Sequence, residues 1–381
     1  MDVSKYFSKA SKAGEIYNLH HFRLGWQKLQ YRRLMGNELV YPPSPKVVEA
    51  VRRIAEHLNY YPEDPYTDVE LRAKLAEYVG LPDRAEWITC GNGSMEVIDL
   101  LYKAFLDEGD EILISTPDYS PYTRRVPLYG ATVVSVLPVD QDFNYTLESF
   151  ASKISSKTKM ALVSRPNNPD GHQISRDLVR GLCETGILVA IDEAYFEFGD
   201  SPVEDLLDEY PNLVISHTFS KAMGLAGIRL GWIVARPELI EAVNHVRTPL
   251  NIGLITKVAA IAAIEDADYI RENVRKVKED REFLYNELKK FPGFYPIPSQ
   301  ANFVMIRVNN GLKASHIYEY LLSKGYITRS FVDARGLPGD QYFRITVGTH
   351  DDVVGVLNEI RNYFEENSIP LQSTTFSERM S

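Results

Sequence analysis

Short apolar runs with little polar alternation recur through the first two-thirds of the chain. They fall at residues 87–90, 111–115, 131–137, 160–164, 187–191, 213–216 and 230–235. Strands buried on both faces read this way. Between them, helical spacing appears at 94–106, 119–129, 147–153 and 176–185,. This alternation predicts an α/β fold whose large domain has a mostly parallel sheet flanked by helices. Upstream, Ser44 is placed to cap a helix with Pro45 at its first position,. Val47, Val48, Val51, Ile54, Ala55 and Leu58 follow at helical spacing, then a loop over 59–65 and a helix over 69–78. After Asn251 the pattern changes. A long helical stretch covers 267–290, helices are predicted around 315–324 and 350–364, and apolar runs lie at 303–308, 326–329 and 342–347. That mixture predicts a smaller α+β domain. The expected organisation is an N-terminal arm (1–35), an N-terminal part of the small domain (36–60), the large domain (61–265), the C-terminal small domain (266–365) and a flexible tail (366–381).

The length of 381 residues suits a large domain plus a smaller one,. A net charge of −10, without a basic block, argues against nucleic acid,. No apolar run is long enough to span a bilayer, and no leader pattern is read, so the expectation is a cytoplasmic protein. Cys90 and Cys183 stand far apart, which suits a reducing compartment,. The pair His20 and His21 lacks the H-E-x-x-H spacing, so no metal is expected,.

The most informative stretch is residues 216–232, which sets Lys221 among hydroxyls and glycines with Arg229 eight residues on. A lysine that forms a Schiff base must shed its proton near neutral pH, which partial burial and a nearby cation favour. A phosphate needs hydroxyls, backbone amides and a guanidinium. The segment therefore reads as the lysine segment of a pyridoxal-phosphate enzyme, although a lysine in S-K-A-M-G alone could be a surface residue. Asp192 follows the run 187–191 and would keep a pyridine nitrogen protonated, or else cap a helix. Tyr195 would reach the ring oxygen or the Schiff base, or pack at the core rim. Asn168 would donate an amide to the ring oxygen, or simply belong to a tight loop, and the bond before Pro169 is a candidate cis peptide. Gly93 and Ser94 lie between a strand and a helix, where amides face an anion, and with Thr218, Ser220 and Arg229 they complete a phosphate cup. Tyr119 is the stacking candidate, or packs beneath a loop. Arg344 alternates with apolar residues on a strand and suits a carboxylate or phosphate, as does Arg329; either could be a surface arginine.

Together these residues resemble the class I/II aminotransferases of pyridoxal-phosphate fold type I, and within them the histidinol-phosphate aminotransferase branch. The resemblance runs from about Asn37 to Phe364. It rests on Tyr61-Pro62-Glu63, on Pro166 to Gly171, on Asp192 to Phe198, on Ser220 to Arg229 and on Arg344 to Thr349. It implies a homodimer in which Tyr61 reaches the partner's cofactor phosphate. It implies Lys221 as Schiff base and proton shuttle, Asp192 on the pyridine nitrogen, and Asn168 and Tyr195 on the ring oxygen. Gly93, Ser94, Met95, Thr218, Ser220 and Arg229 would hold the cofactor, with Tyr119 over its ring. Arg344, Arg329 and Asn37 would meet the substrate, an anionic or phosphorylated amine, with a keto acid, usually 2-oxoglutarate, returning the amine. The chain departs from the family pattern at Asp170, where threonine is usual, after Asn37-Glu38, after Gly93 and in the arm. A threonine-phosphate decarboxylase or a specialised amino-acid aminotransferase on the same scaffold remains a competing reading.

Overall fold

The computed structural model describes residues 2–16 and 19–371. Seven strands form one sheet in the order Ile88–Gly91, Gly231–Ala235, Leu213–Thr218, Leu188–Asp192, Thr158–Ser164, Glu111–Ser115 and Thr132–Val136. Only Gly231–Ala235 runs against its two neighbours, and the other pairings are parallel. Every residue of Ile88–Gly91, Leu213–Thr218 and Gly231–Ala235 is buried, which is why these runs carry no polar alternation,. Each expected apolar run becomes a strand. The strand Leu188–Asp192 reaches one residue further than the run, so Asp192 is its last residue rather than the first of a turn. The stretch 119–129 is not one helix. It is Pro121–Arg125 followed by the 3-10 turn Val126–Tyr129, where Pro127 has no N–H to continue an α-helical ladder,.

The second sheet is antiparallel, in the order Arg329–Ser330, Tyr342–Thr346, Phe303–Val308 and Phe294–Pro296. The run 326–329 divides: Tyr326–Ile327 pairs with Arg32–Arg33 in a separate ladder, while Arg329–Ser330 joins the small sheet. Helices Ala267–Leu288, Ala314–Ser323 and His350–Glu366 accompany this sheet. Phe291, Phe294, Phe343 and Phe364 pack ring on ring beneath it,. The chain past Glu366 is not loose as far as Leu371. The Ile369 amide donates to the Phe364 carbonyl at 2.9 Å, and Ile369 and Leu371 rest on the same core. The rest of the expected flexible tail, 372–381, lies outside the described residues.

Helix starts follow their caps. Ser44 Oγ accepts the Val47 amide at 3.3 Å, with Pro45 at the first helical position,. Helices Pro237–Val246 and Leu254–Ile264 add to those expected. The second packs against Pro45–Ile54 and Val69–Tyr78, and its sequence is apolar except at Thr256 and Lys257, so it lacks the polar stripe that marks a surface helix. Among the described residues no helix is long and apolar enough to cross a membrane.

The arm is more structured than its polar sequence suggests. It carries helices Lys9–Ala13 and His20–Gln27. Exposed ion pairs fasten it to the large sheet's flank, Lys9 to Glu108 at 3.0 Å and Glu15 to Arg124 at 2.6 Å.

Behind the sheet's working edge lies a buried polar cluster. Arg165 Nη1 meets Glu193 Oε1 at 3.0 Å, and His217 Nε2 lies 3.4 Å from Glu204 Oε1. His217 stacks on Trp232 with ring centroids 5.0 Å apart. Single ligand atoms of Glu193, Glu204 and His217 come within 4.8 Å of one another, but Arg165 already places a cation beside Glu193. Burial holds His217 neutral, its pKa down at about 3, and pushes Glu197 up to about 8 and Asp170 up to about 7,. A carboxyl raised in the folded state binds a proton that the unfolded chain has released, so its contribution is present below the ordinary pKa and is lost as pH rises through the folded one. Thermal stability should therefore fall from about pH 4.5 up to about 7 for Asp170 and up to about 8 for Glu197, by about 1.4 kcal/mol per pH unit for each group within its own window,. Calorimetry on Glu197→Gln should show a shallower fall; an unchanged slope would refute the assignment.

Candidate active site

The parallel strands all end at one edge of the large sheet, and the expected chemical residues gather there. Register sets them side by side: Ser164 stands opposite Asp192, Asp192 opposite Ser216, and Thr218 opposite Gly231, which also faces Gly91. They open into a cavity of about 910 Å³, walled on its far side by Arg329, Phe331 and Arg344 and at its mouth by the arm residues Glu15, His21, Phe22 and Trp26.

Lys221 lies three residues past the end of Leu213–Thr218. Its Nζ donates to the Gly36 carbonyl at 3.1 Å and stands 5.4 Å from the centre of the Tyr195 ring. Asp192 is buried. Its Oδ1 accepts from Ser216 Oγ at 2.9 Å and from the Ala194 amide at 3.2 Å, and its Oδ2 accepts from the Tyr122 hydroxyl. Burial raises its pKa, and the hydrogen bonds from Tyr122 and Ser216 oppose that shift. The Tyr195 hydroxyl accepts from Asn37 Nδ2 at 2.9 Å and from Asn168 Nδ2 at 3.3 Å. Asn168 in turn accepts from Arg344 Nη1, whose Nη2 donates to the Met35 carbonyl at 2.9 Å. Tyr195, Asn168 and Arg344 thus form one chain of contacts across the cavity floor.

The other end of the cavity has the makings of an anion cup. Gly93 is the N-cap of Ser94–Phe105, with a φ of 80° that favours glycine, and no side chain caps the first amides,. Thr218 Oγ1 bonds Ser220 Oγ at 3.0 Å, and Arg229 Nη1 donates to Ser220 Oγ at 3.4 Å. A Cβ on Gly93 would lie 2.2 Å from Arg229 Nη2, and one on Gly231 would lie 2.4 Å from the Ser94 nitrogen. The two halves of the cup meet only because these positions have no side chain. Hydroxyls, free helix-end amides and a guanidinium at one end, with a buried carboxylate and an amine further in, fit a phosphorylated pyridine aldehyde. Gly93→Ala should displace the guanidinium and weaken cofactor binding roughly ten- to hundred-fold, the scale of one charge-assisted hydrogen bond. Equilibrium dialysis would check this, and an unchanged dissociation constant would count against the cup.

Ser94, Met95 and Tyr119 line the cavity as expected, and Tyr119 packs edge-on against Tyr122 at 5.4 Å. Tyr61 does not. It is 87% exposed on a loop away from the chain's own cavity. Asn37, expected on the substrate, lines the cavity; beside its bond to Tyr195, its Oδ1 accepts from Thr346 Oγ1 at 2.8 Å and its carbonyl accepts from Asn302. The cis peptides precede Pro117 and Pro166, and the bond before Pro169 is trans. The turn after Thr158–Ser164 is instead tied by Asn167, whose amide donates to the Pro117 carbonyl at 3.1 Å and to Asp170.

Several residues of the site escaped the sequence reading. Tyr122 lies one helical turn beyond Tyr119, a spacing that could have flagged it. Ser216 is found only through strand register, and Gly36 only through the tertiary fold. Asp118 faces the cavity with Arg335 at 3.9 Å, and burial pushes its carboxyl up to about 6.

The aminotransferase class I and II family model matches residues 32–360. A histidinol-phosphate aminotransferase of Methanothermobacter thermautotrophicus is 36% identical over 84% of this chain and 85% of that protein. The crystal structure of histidinol-phosphate aminotransferase from Sinorhizobium meliloti in complex with pyridoxal-5'-phosphate is 26% identical with a TM-score of 0.80, covering 94% of this chain and 98% of that one. An L-threonine-O-3-phosphate decarboxylase from Porphyromonas gingivalis shares the fold, with 22% identity and a TM-score of 0.74 over 87% and 99% of the two chains.

Proposed function

We propose that this chain, which belongs to the aminotransferase class I and II family, takes the amino group of L-histidinol phosphate and delivers it to 2-oxoglutarate. It is a pyridoxal-phosphate-dependent aminotransferase. The choice of donor rests on one observation above the others. Arg329 and Arg344 are directly opposed across an antiparallel pair, so both guanidinium-bearing side chains leave the same face of the small sheet, and both line the cavity that holds Lys221,. Two forks on one wall suit a phosphate or carboxylate at the far end of a substrate. The similarity to histidinol-phosphate aminotransferases supports the same reading.

Pyridoxal phosphate, when bound, supplies the aldehyde that exchanges amines and a ring that delocalises negative charge. The chain supplies the rest. The amides of Ser94 and Met95, with Ser220 and Arg229, would hold the phosphate, and Tyr119 would lie against the ring. Asp192 would pair with the ring nitrogen, and Tyr195 and Asn168 would meet the ring oxygen. With the cofactor bound, Lys221 Nζ would anchor it and would be the base within reach of the proton on the substrate carbon. Arg344 and Arg329 would fix the substrate's anionic end.

A second copy of the chain is part of the proposal. Leu58, Tyr60, Tyr61 and Tyr66 are exposed large side chains on one loop, and Leu250 is exposed beside them. Asp64 ties the two segments together through Arg247 at 2.6 Å and the Leu250 amide. An apolar patch of this kind favours burial against a partner, and Tyr61 would then reach the partner's phosphate cup.

The test is a half-reaction. Cofactor-loaded protein mixed with L-histidinol phosphate, without keto acid, should lose its visible cofactor band and gain that of the amine form; 2-oxoglutarate should reverse the change. An unchanged band would remove this donor. Release of carbon dioxide from threonine phosphate would replace the reading with a decarboxylase.

A further inference from the structure

We propose that Tyr122 and Ser216 are positioning residues that aim the Asp192 carboxylate at the cofactor's ring nitrogen and keep it an acceptor. Three donors converge on Asp192: the Tyr122 hydroxyl on Oδ2, and Ser216 Oγ at 2.9 Å and the Ala194 amide at 3.2 Å on Oδ1. Each has a reason to be there. Ser216 is opposite Asp192 in the parallel register, so both side chains leave one face of the sheet. The Ala194 amide follows from the turn after the strand. Tyr122 is buried and held on two sides, by the edge-on ring of Tyr119 and by the Tyr102 hydroxyl, which donates to its carbonyl at 3.3 Å.

This arrangement favours a charged carboxylate. An ionised carboxylate accepts at every site, whereas a protonated one gives up an accepting site to its own proton. Burial by itself favours the neutral acid, and a neutral acid would leave the ring nitrogen without its counter-charge. The donors tilt the balance the other way. Removing one makes the carboxylate more basic, so the proton shared with the ring nitrogen moves toward Asp192 and the ring loses positive charge.

The inference rests on the cofactor assignment and not on the choice of donor substrate. It is tested on the holoenzyme with no substrate present. The protein is loaded with pyridoxal phosphate labelled with nitrogen-15 in the ring, and the ring resonance is recorded for the native chain, Tyr122→Phe and Ser216→Ala. The expected result is a resonance in the protonated range for the native chain and a shift toward the unprotonated range in both variants. In parallel, kcat should fall roughly ten- to hundred-fold, the scale of a hydrogen bond to a charged group, with KM nearly unchanged. An unmoved resonance in variants that retain the native circular dichroism would overturn the proposal. If Tyr122→Phe does not fold, Ser216→Ala decides alone. A native resonance already in the unprotonated range would overturn it too, and would also remove Asp192 from its expected role; a failed half-reaction with histidinol phosphate would leave this measurement unaffected.

Discussion

Lys221→Ala should lower turnover by at least ~10⁴-fold and abolish the visible band of the lysine-linked cofactor. The size of the effect follows from the residue's two duties, as covalent anchor and as the group that moves the proton. No other lysine is among the described residues lining the cavity, so no neighbour can take over. The native amine is held by the Gly36 carbonyl on one side and the Tyr195 ring on the other. Alanine leaves a gap that a small amine can enter, so added methylamine should restore part of the proton-transfer rate. The phosphate cup is separate from this position, so the variant should still bind the cofactor non-covalently. Absorbance spectra and single-turnover kinetics would check both expectations. A retained band would end the assignment.

The second large effect is expected at Asp192. Asp192→Ala removes the counter-charge of the ring nitrogen and should cut kcat by about 10²–10³-fold, the scale of a lost, preorganised electrostatic contact. It also strands the Tyr122 and Ser216 hydroxyls and the Ala194 amide in a buried place, at a cost to stability of about 1–3 kcal/mol for each unsatisfied group. Asp192→Asn keeps the shape and part of the bonding, so it should fold with near-native stability and still lose most of its turnover. Comparing the two separates charge from packing. Near-native turnover in Asp192→Asn would mean that another group sets the ring's charge.

The legibility of this chain differs by layer. The parallel sheet was plain because strands buried on both faces leave uninterrupted apolar runs, and the residues at their ends, Ser94, Tyr119, Asn168, Asp192 and Lys221, therefore fell into one crevice. Leu254–Ile264 was hidden for a related reason: a helix with almost no polar residue has no stripe to read. The division at Thr328 left no local trace, because it depends on Arg32–Arg33 arriving from a distant part of the chain. Ser216 is similar. Serine in a strand is ordinary, and only register makes it a partner of Asp192. Asn37 lines the cavity, and its bonds to Tyr195 and Thr346 depend on the tertiary fold rather than on any local pattern. Tyr61 lies exposed outside the chain's own cavity, so its proposed contact with a second copy leaves no mark on a single chain.

The fastening of the arm sets a final consequence. The residues that would hold the cofactor stand at the ends of buried strands, where most changes disturb the fold itself. Glu15, His21, Phe22 and Trp26 reach the same cavity from a segment attached through exposed ion pairs. Such pairs contribute little to stability. Exposed positions of the arm, such as Glu15 and Trp26, can accordingly change at little cost to folding while they reshape the entrance. Selection for a new substrate would find its raw material there, with the chemistry inherited intact.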